Sequence, residues 1–537
     1  MKLLRSCISS TSLRKHWLHI STQRLQNESK QKPADRAWAE PEGVISDVVI
    51  YNPLVKRKVP LILRNRGYVT WYMCGPTVYD SAHIGHACSY VRLDVIRRIL
   101  EDHFDINLVT VMGITDIDDK IIKKSLESKR DWKELTRFYE KEFFADMAAL
   151  NVQRPYLCSR VSEHLPQIIQ FIGQILHNGG AYVSNEGSVY FDTIQYKGYG
   201  KFGAKEPGAP IHGKRNGADF ALWKAAKPDE PFWESPWGPG RPGWHIECSV
   251  MASESVGANV DIHSGGIDLA FPHHENEEAQ SCQYHGVEQW VNYWLHTGHL
   301  HSKNMKMSKS LGNTISVSEL LREYTSDQFR LYILSSHYRT GIDYTDQSMV
   351  APVTITKKFE SFIDDCNNYV AGTLPMGNID DVTLMKGLVE TKAAIRTALA
   401  NDFETPKAIR YLIDLVALGN KMLHSPAEEG KSRSPAAVAA TANYVTSTLR
   451  SFGLQVNAKN TAQRDIIAAA QTTDVIESFV KFRQDVRNFA LQSKSKDKTL
   501  LGVCDEARKE LSVHGVQIKD HGKESTWSIG GARKISN

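Results

Sequence analysis

Two short segments far apart in the chain, His83-Ile84-Gly85-His86 and Lys306-Met307-Ser308-Lys309-Ser310, carry side chains suited to handling a polyphosphate. Imidazoles donate to phosphate oxygens, the missing Cβ of Gly85 lets a ligand approach the backbone, and Lys306 and Lys309 supply mobile positive charge. Position matters as much as type. Tyr68 to Met73 reads as a short buried strand, Gly75-Pro76 as its turn, and Ala87 to Leu100 as a helix with Val91, Val95, Ile96 and Ile99 on one side. His83 and His86 then fall at a strand-to-helix junction, where a helix N-terminus offers N–H groups and a positive dipole end to an anion. Taken singly, the first segment also reads as a surface turn and the second as a solvated loop. Taken together and in this order, they read as complementary halves of one nucleotide-handling site.

A second set of residues has the donor types of a metal centre. Cys74 ends the first strand, Cys248 follows Trp244-His245-Ile246-Glu247, and Phe271-Pro272-His273-His274-Glu275-Asn276-Glu277 lies further on. His273 and Glu277 are four apart and share a helix face. With the two thiols they make a thiolate, thiolate, imidazole and carboxylate set that suits zinc. The spacing is not that of a zinc ribbon or finger, and the residues have another reading: cysteines are often buried as small hydrophobes, and histidines are often satisfied core or surface groups.

The ordered motifs C-G-P-T-V-Y-D from Cys74, H-I-G-H from His83, I-T-D-I-D-D-K from Ile114, G-R-P-G-W-H-I-E-C-S from Gly240, F-P-H-H-E-N-E from Phe271 and K-M-S-K-S from Lys306 resemble cysteinyl-tRNA synthetases, of the class I aminoacyl-tRNA synthetases, over nearly the whole chain after its leader. The resemblance implies zinc held by Cys74, Cys248, His273 and Glu277 with the substrate sulfur joining the metal, and an amino-acid pocket lined by Thr115, Trp244 and His245. It implies ATP held by His83, Gly85, His86, Lys306 and Lys309, with Mg2+ on the phosphates. The partners it implies are ATP, L-cysteine and tRNA for cysteine. A shaped pocket separates close isosteres by only about 10 to 200-fold, whereas zinc prefers a thiolate to a hydroxyl, so metal binding can select cysteine over serine. The family is also linked to a secondary persulfide-forming activity that uses pyridoxal phosphate, with lysines matching Lys120 and Lys123 and the K-M-S-K-S loop.

These residues must be positioned by an α/β framework. Strand and helix signals alternate from 43 to 160, with Leu108 to Met112 as a second strand, which favours a parallel sheet with ligands at the strands' carboxyl ends. With the resemblance, the expected organisation is a Rossmann-type catalytic domain in two halves (43–160 and 238–295), a connective-peptide insertion (161–237) and a domain carrying the signature loop (296–350). A helical bundle (351–457) and a small anticodon-binding domain (458–537) follow. Lys201 to Arg215, rich in glycine, proline and lysine, reads as a flexible loop, shorter than in bacterial relatives, and Gly217-Ala218 departs from the family's usual proline-containing version. Pro406 reads as an early helix residue.

Composition narrows the class. The net charge of +4 is too small to identify a nucleic-acid partner by itself. Eight cysteines in 537 residues do not make a disulfide scaffold, and no apolar run is long enough to span a bilayer. The oligomeric state is left open by the residues, with a monomer favoured. Two other functions share parts of this pattern: a synthetase-like RNA-binding protein without activity, which the intact motifs oppose, and a cysteine ligase acting on a small amine, which the long helical and C-terminal regions oppose. Met1 to Asn27 contains Lys2, Arg5, Arg14, Lys15 and Arg24 and no acid before Glu28, the composition of a mitochondrial transit peptide, with 1–42 as presequence and polar leader and the matrix as destination. A basic RNA-binding tail is the rival reading. Deleting Met1 to Asn27 is expected to abolish mitochondrial import while leaving purified activity intact; imaging and an activity assay check the two halves, and continued matrix accumulation would refute the assignment.

Overall fold

The apolar run from Val69 into Cys74 forms the middle strand of a five-stranded parallel sheet and is buried along that whole length, as a strand covered on both faces must be. The computed structural model describes residues 38–203, 213–228, 230–302, 305–306, 314–373, 379–425, 434–456, 461–492, 497–521 and 524–529. The chain divides into two units, Met1–Val456 and Asn457–Asn537.

In the first unit, β1 (Val44–Asn52) and β2 (Arg57–Leu63) pair antiparallel, and β3 (Val69–Thr77), α1 (Ile84–Phe104), β4 (Leu108–Thr115), α2 (Asp119–Ser128), α3 (Trp132–Ala149) and β5 (Leu157–Arg160) follow. After α4 (Leu165–His177) comes a separate four-stranded antiparallel sheet made of β6 (Ala181–Val183), β7 (Val189–Phe191), β8 (Phe220–Ala225) and β9 (Gly240–Pro242). The chain returns through α5 (Trp244–Val256), β10 (Val260–Gly266), α6 (Glu275–His285) and β11 (Val291–Thr297). The main sheet runs in the order β11-β10-β3-β4-β5, with every neighbouring pair parallel. Strand order reverses between β3 and β10, so a crevice opens at their carboxyl ends, the place where such sheets bind ligands.

β12 (Leu300–Ser302), β13 (Met305–Lys306) and β14 (Ile342–Tyr344) form a small sheet flanked by α7 (Val317–Glu323) and α8 (Ser326–Leu334). Four helices complete the unit: α9 (Asp346–Ala371), α10 (Asp381–Ala400), α11 (Thr405–Leu423) and α12 (Pro435–Ser451). Pro406 stands in the first turn of α11, where its missing N–H costs nothing. Arg330 of α8 is fully buried, pairs with Asp94 of α1 and donates to the carbonyls of Leu150 and Phe452. It joins the sheet's flanking helix to the end of the bundle.

The second unit holds α13 (Thr461–Gln492), α14 (Lys498–Val513) and the hairpin β15 (Val516–His521) with β16 (Glu524–Ile529). Its apolar centre is Val480, Val516 and Ile518. Arg483 makes a two-pronged pair with Asp520 at 2.8 and 3.0 Å, which holds that carboxyl well below the usual carboxylate range.

Two local expectations change. Gly75-Pro76 is not a turn: β3 continues to Thr77 with a register shift against β4 between Cys74 and Thr77. Proline, which cannot donate to a ladder, is tolerated at such an irregularity. The helix after it begins at Ile84, earlier than Ala87, because His83 caps it. The expected flexible loop falls mostly on residues 204–212, outside the described residues.

The β3 irregularity requires glycine. A Cβ at Gly75 would stand 2.1 Å from the carbonyl oxygen of Gly113 in β4. Gly75→Ala is therefore expected to destabilise the unit by on the order of 1–3 kcal/mol, the usual cost of overpacking, and to lower the melting temperature; a melt equal to wild type would show that the strands part freely here.

Candidate active site

The carboxyl ends of β3 and β4, the first turns of α5 and the entry to α6 meet around a buried polar cluster. Cys74 comes from β3, Cys248 from the first turns of α5, His273 from the segment before α6 and Glu277 from the first turn of α6. One potential ligand atom from each lies within 4.8 Å of all the others. The two Sγ atoms are 3.9 Å apart, Cys74 Sγ is 3.6 Å from Glu277 Oε1, and His273 Nε2 is 3.0 Å from the same oxygen. Tetrahedral zinc with ordinary bond lengths separates two sulfurs by about 3.8 Å, sulfur from oxygen by about 3.6 Å and nitrogen from oxygen by about 3.4 Å. The donor set fits zinc both in chemistry and in spacing.

A second grouping shares two members: Cys74, His263, His274 and Glu277 also place ligand atoms within 4.8 Å of one another. His263 Nε2 lies 2.8 Å from Glu277 Oε2, His274 Nε2 lies 3.5 Å from Cys74 Sγ, and His274 Nδ1 is hydrogen-bonded to His296 Nε2 at 2.8 Å. These histidines orient the shared carboxylate and thiol from behind, in the way outer partners fix metal ligands. The set with two thiols is the better match, since soft sulfur donors favour zinc.

Electrostatics sort the four groups. A hydrogen bond from the Cys74 thiol lowers Cys248 to about 6 against its burial, whereas burial pushes Cys74 up. Burial lowers His273, but the charge of Glu277 overrides it and holds the imidazole at about 10. Burial also raises Glu277, but His263 and His273 outweigh it and keep the carboxyl well below the ordinary range. Without a metal the cluster favours two negative groups beside an imidazolium; a divalent cation would take the place of the His273 and Cys74 protons.

The residues expected to line an amino-acid pocket lie beside this cluster. The Trp244 ring stands 4.3 Å from that of His273 and is 38% exposed, which leaves it available to a ligand. His245 Nδ1 shares a 2.8 Å hydrogen bond with His273 Nδ1. Thr115, at the end of β4, donates to Glu247 Oε2 at 3.2 Å. Helix α6 is polar yet buried because most of its charged and amide groups find partners: Glu275 accepts from the N–H groups of Gly200 (2.7 Å) and Phe202 (2.6 Å), Glu278 accepts from Lys201 Nζ (2.7 Å), and Gln280 donates to the His245 carbonyl (3.0 Å).

His83 and His86 sit at the start of α1, with rings stacked 3.7 Å apart. His83 Nδ1 accepts from the N–H groups of Gly85 (3.1 Å) and His86 (3.4 Å), and His86 Nδ1 accepts from His83 N–H (3.5 Å). Backbone donors that the sequence reading offers to phosphate thus have an intrahelical acceptor. Lys306 lies in β13, and Lys309 falls outside the described residues. Past the signature segment, Ile84 N–H donates to the Ile315 carbonyl at 2.9 Å and His83 bridges Ser316, so the chain leaving that segment is stitched to the histidines. The sequence reading missed His263, His274, His296 and Tyr72. Tyr72 alone carried a signal, since i and i+2 in a strand share a face with Cys74.

Comparisons with known proteins identify the family. Residues 61–353 match the family model for the class I (C) tRNA synthetase catalytic domain. The chain is 45% identical over 525 residues to a Xenopus tropicalis protein named "Probable cysteine–tRNA ligase, mitochondrial", covering 92% of this chain and 91% of that one. It is 38% identical to the cytoplasmic cysteine–tRNA ligase of Dictyostelium discoideum, covering 92% of this chain and 79% of that one, and 38% identical to the cysteine–tRNA ligase of Pyrococcus horikoshii, covering 89% and 98%. A Mycobacterium tuberculosis methionyl-tRNA synthetase bound to methionyl-adenylate superposes with a TM-score of 0.54 at 15% identity, over 74% of this chain and 93% of that one, and so shares the fold. By sequence and architecture, the chain belongs to the cysteine–tRNA ligase family of class I aminoacyl-tRNA synthetases.

Proposed function

We propose that the protein joins L-cysteine to the 3′-terminal ribose of cysteine tRNA in two steps, within mitochondria. The cysteine carboxylate attacks the α-phosphate of ATP to give cysteinyl-adenylate and pyrophosphate, and a ribose hydroxyl then takes the cysteinyl group. The observation that carries this reading is the buried two-thiol, imidazole and carboxylate set at the sheet's switch point. Cys74, Cys248, His273 and Glu277 would hold zinc, which when bound supplies a preference for thiolate over the hydroxyl of serine. Trp244 and His245 would border the bound amino acid and Thr115 would brace Glu247 beneath it. His83, Gly85, His86, Lys306 and Lys309 would position and neutralise the polyphosphate, with Mg2+ bridging its oxygens.

No covalent enzyme nucleophile is needed, because positioning and charge stabilisation do the work. The second unit supports tRNA over a small amine as acceptor. It carries 14 lysines and arginines against 10 acids in residues 457–537, so the whole formal charge of +4 resides there, and that balance suits a phosphate backbone. A mitochondrial site rests on the acid-poor leader and on the name of the Xenopus relative. Pyridoxal phosphate is left out of the proposed activity: Lys123 is exposed and pairs with Glu127 at 3.8 Å, and Lys120 lies over the Tyr79 ring.

Two substitutions test the halves of the site. Cys248→Ser is expected to lose bound zinc and to lower cysteine-dependent pyrophosphate exchange by more than about 100-fold, since loss of an outer partner of a ligand already costs about 10 to 100-fold; full zinc occupancy with normal exchange would contradict the assignment. Lys309→Ala is expected to slow single-turnover adenylation by on the order of 10² to 10³-fold through lost charge stabilisation, with zinc content and melting unchanged. An unaltered adenylation rate would exclude Lys309 from that step.

A further inference from the structure

Three of the four proposed metal ligands have a partner on their outer side. Glu277 Oε2 meets His263 Nε2 at 2.8 Å, His273 Nδ1 meets His245 Nδ1 at 2.8 Å, and Cys74 Sγ meets His274 Nε2 at 3.5 Å. Cys248 differs: the partner of its sulfur, 3.9 Å away, is Cys74, which is a ligand itself. One buried donor nearby is unused. The hydroxyl of Tyr72 is fully buried and makes no hydrogen bond.

The fold turns that hydroxyl toward α5, the helix that carries Cys248. Tyr72 and Cys74 are two apart in β3, so both side chains leave the same face of the sheet. Its ring lies 5.1 Å from that of His263. A Cβ at Gly113 of β4 would stand 2.0 Å from the Tyr72 oxygen and 2.9 Å from the methyl of Met251, one turn along α5 from Cys248. The glycine thus makes the slot through which the phenol reaches α5. Cys248 is the first of the ionisable neighbours whose charge bears on the hydroxyl, ahead of Cys74 and Glu277.

We infer that Tyr72 is a positioning residue for Cys248, its phenolic O–H donating to the thiolate sulfur when the four ligands hold a metal ion. The charges favour this. Two thiolates and one carboxylate around a divalent cation leave one net negative charge among buried groups, and a buried hydroxyl is destabilising until it finds an acceptor. Donation answers both deficits at once. The O–H also sets which sulfur lone pair faces the metal and softens the sulfur's electron donation, in the manner of outer-sphere partners. The inference rests on the zinc reading above.

Tyr72→Phe, made in the full chain, removes one oxygen and keeps the shape. Chelator competition is expected to show zinc held about 10 to 100-fold less tightly than in wild type. In the cobalt-substituted protein the sulfur-to-metal charge-transfer band should move to lower energy, because an unbonded thiolate is easier to oxidise. The melting order should reverse: stripped of metal, the variant melts at or above wild type, having lost an unpaired polar atom, and loaded with zinc it melts below. A fluorinated tyrosine at position 72, a stronger donor of unchanged shape, should shift the cobalt band the opposite way and serves if the phenylalanine variant folds poorly. Wild-type zinc affinity and an unmoved cobalt band in these variants would overturn the role of Tyr72 alone. A wild-type chain that binds no zinc would overturn the metal reading together with it.

Discussion

Four ionisable side chains with almost no exposed surface cannot share one spot unless each is compensated, and that requirement organises the catalytic half of this molecule. Cys74, Cys248, His273 and Glu277 come from three separate stretches of chain, so the sheet order that brings β10 beside β3 is what makes the cluster possible. The compensation then spreads outward. Histidines stand behind the ligands, helix α6 turns polar through a core position, and Gln280 ties α6 to the start of α5 through the His245 carbonyl and Ser249. Apolar packing alone would bury this region more cheaply; the polar network fixes where each donor atom points.

The nucleotide half obeys a looser rule. His83 and His86 cap a long helix that is otherwise packed into the core, and the backbone after the signature segment is hydrogen-bonded to them. The candidate phosphate-handling histidines thus stand at a rigid helix start, which would suit a reaction that needs alignment more than a nucleophile. Arg330 fixes the same helix to the bundle from the other side, so α1 serves as a common strut.

Much of this was legible in the residues. Strand and helix alternation gave the parallel sheet, and the four ligand candidates could be named because thiols and an i, i+4 imidazole–carboxylate pair are chemically conspicuous. What was not legible depended on long-range register. His263 lies in β10, and only the pairing of Ile262 with Trp71 and Ser264 with Met73 puts it beside Glu277 and Tyr72. The buried polarity of α6 reads from sequence as a solvated helix, because its partners at residues 200–202 lie far back in the chain. Gly75-Pro76 has turn composition, yet the close approach of β4 keeps the segment in the strand.

The grip of α6 on residues 200–202 has a consequence for how such a chain can vary over evolutionary time. Gly200 and Phe202 are held through their main-chain N–H groups, Lys201 through its side chain, and the Phe202 ring also stands edge-on to Trp294 and His296. The attachment therefore constrains the backbone path at all three residues and the side chain at 201 and 202. The anchor fixes Glu275, two residues before the candidate ligand Glu277, whatever chain follows it. Variation in the insertion is therefore expected to stop at residues 200–202, where a change of path would uncover the polar groups of α6.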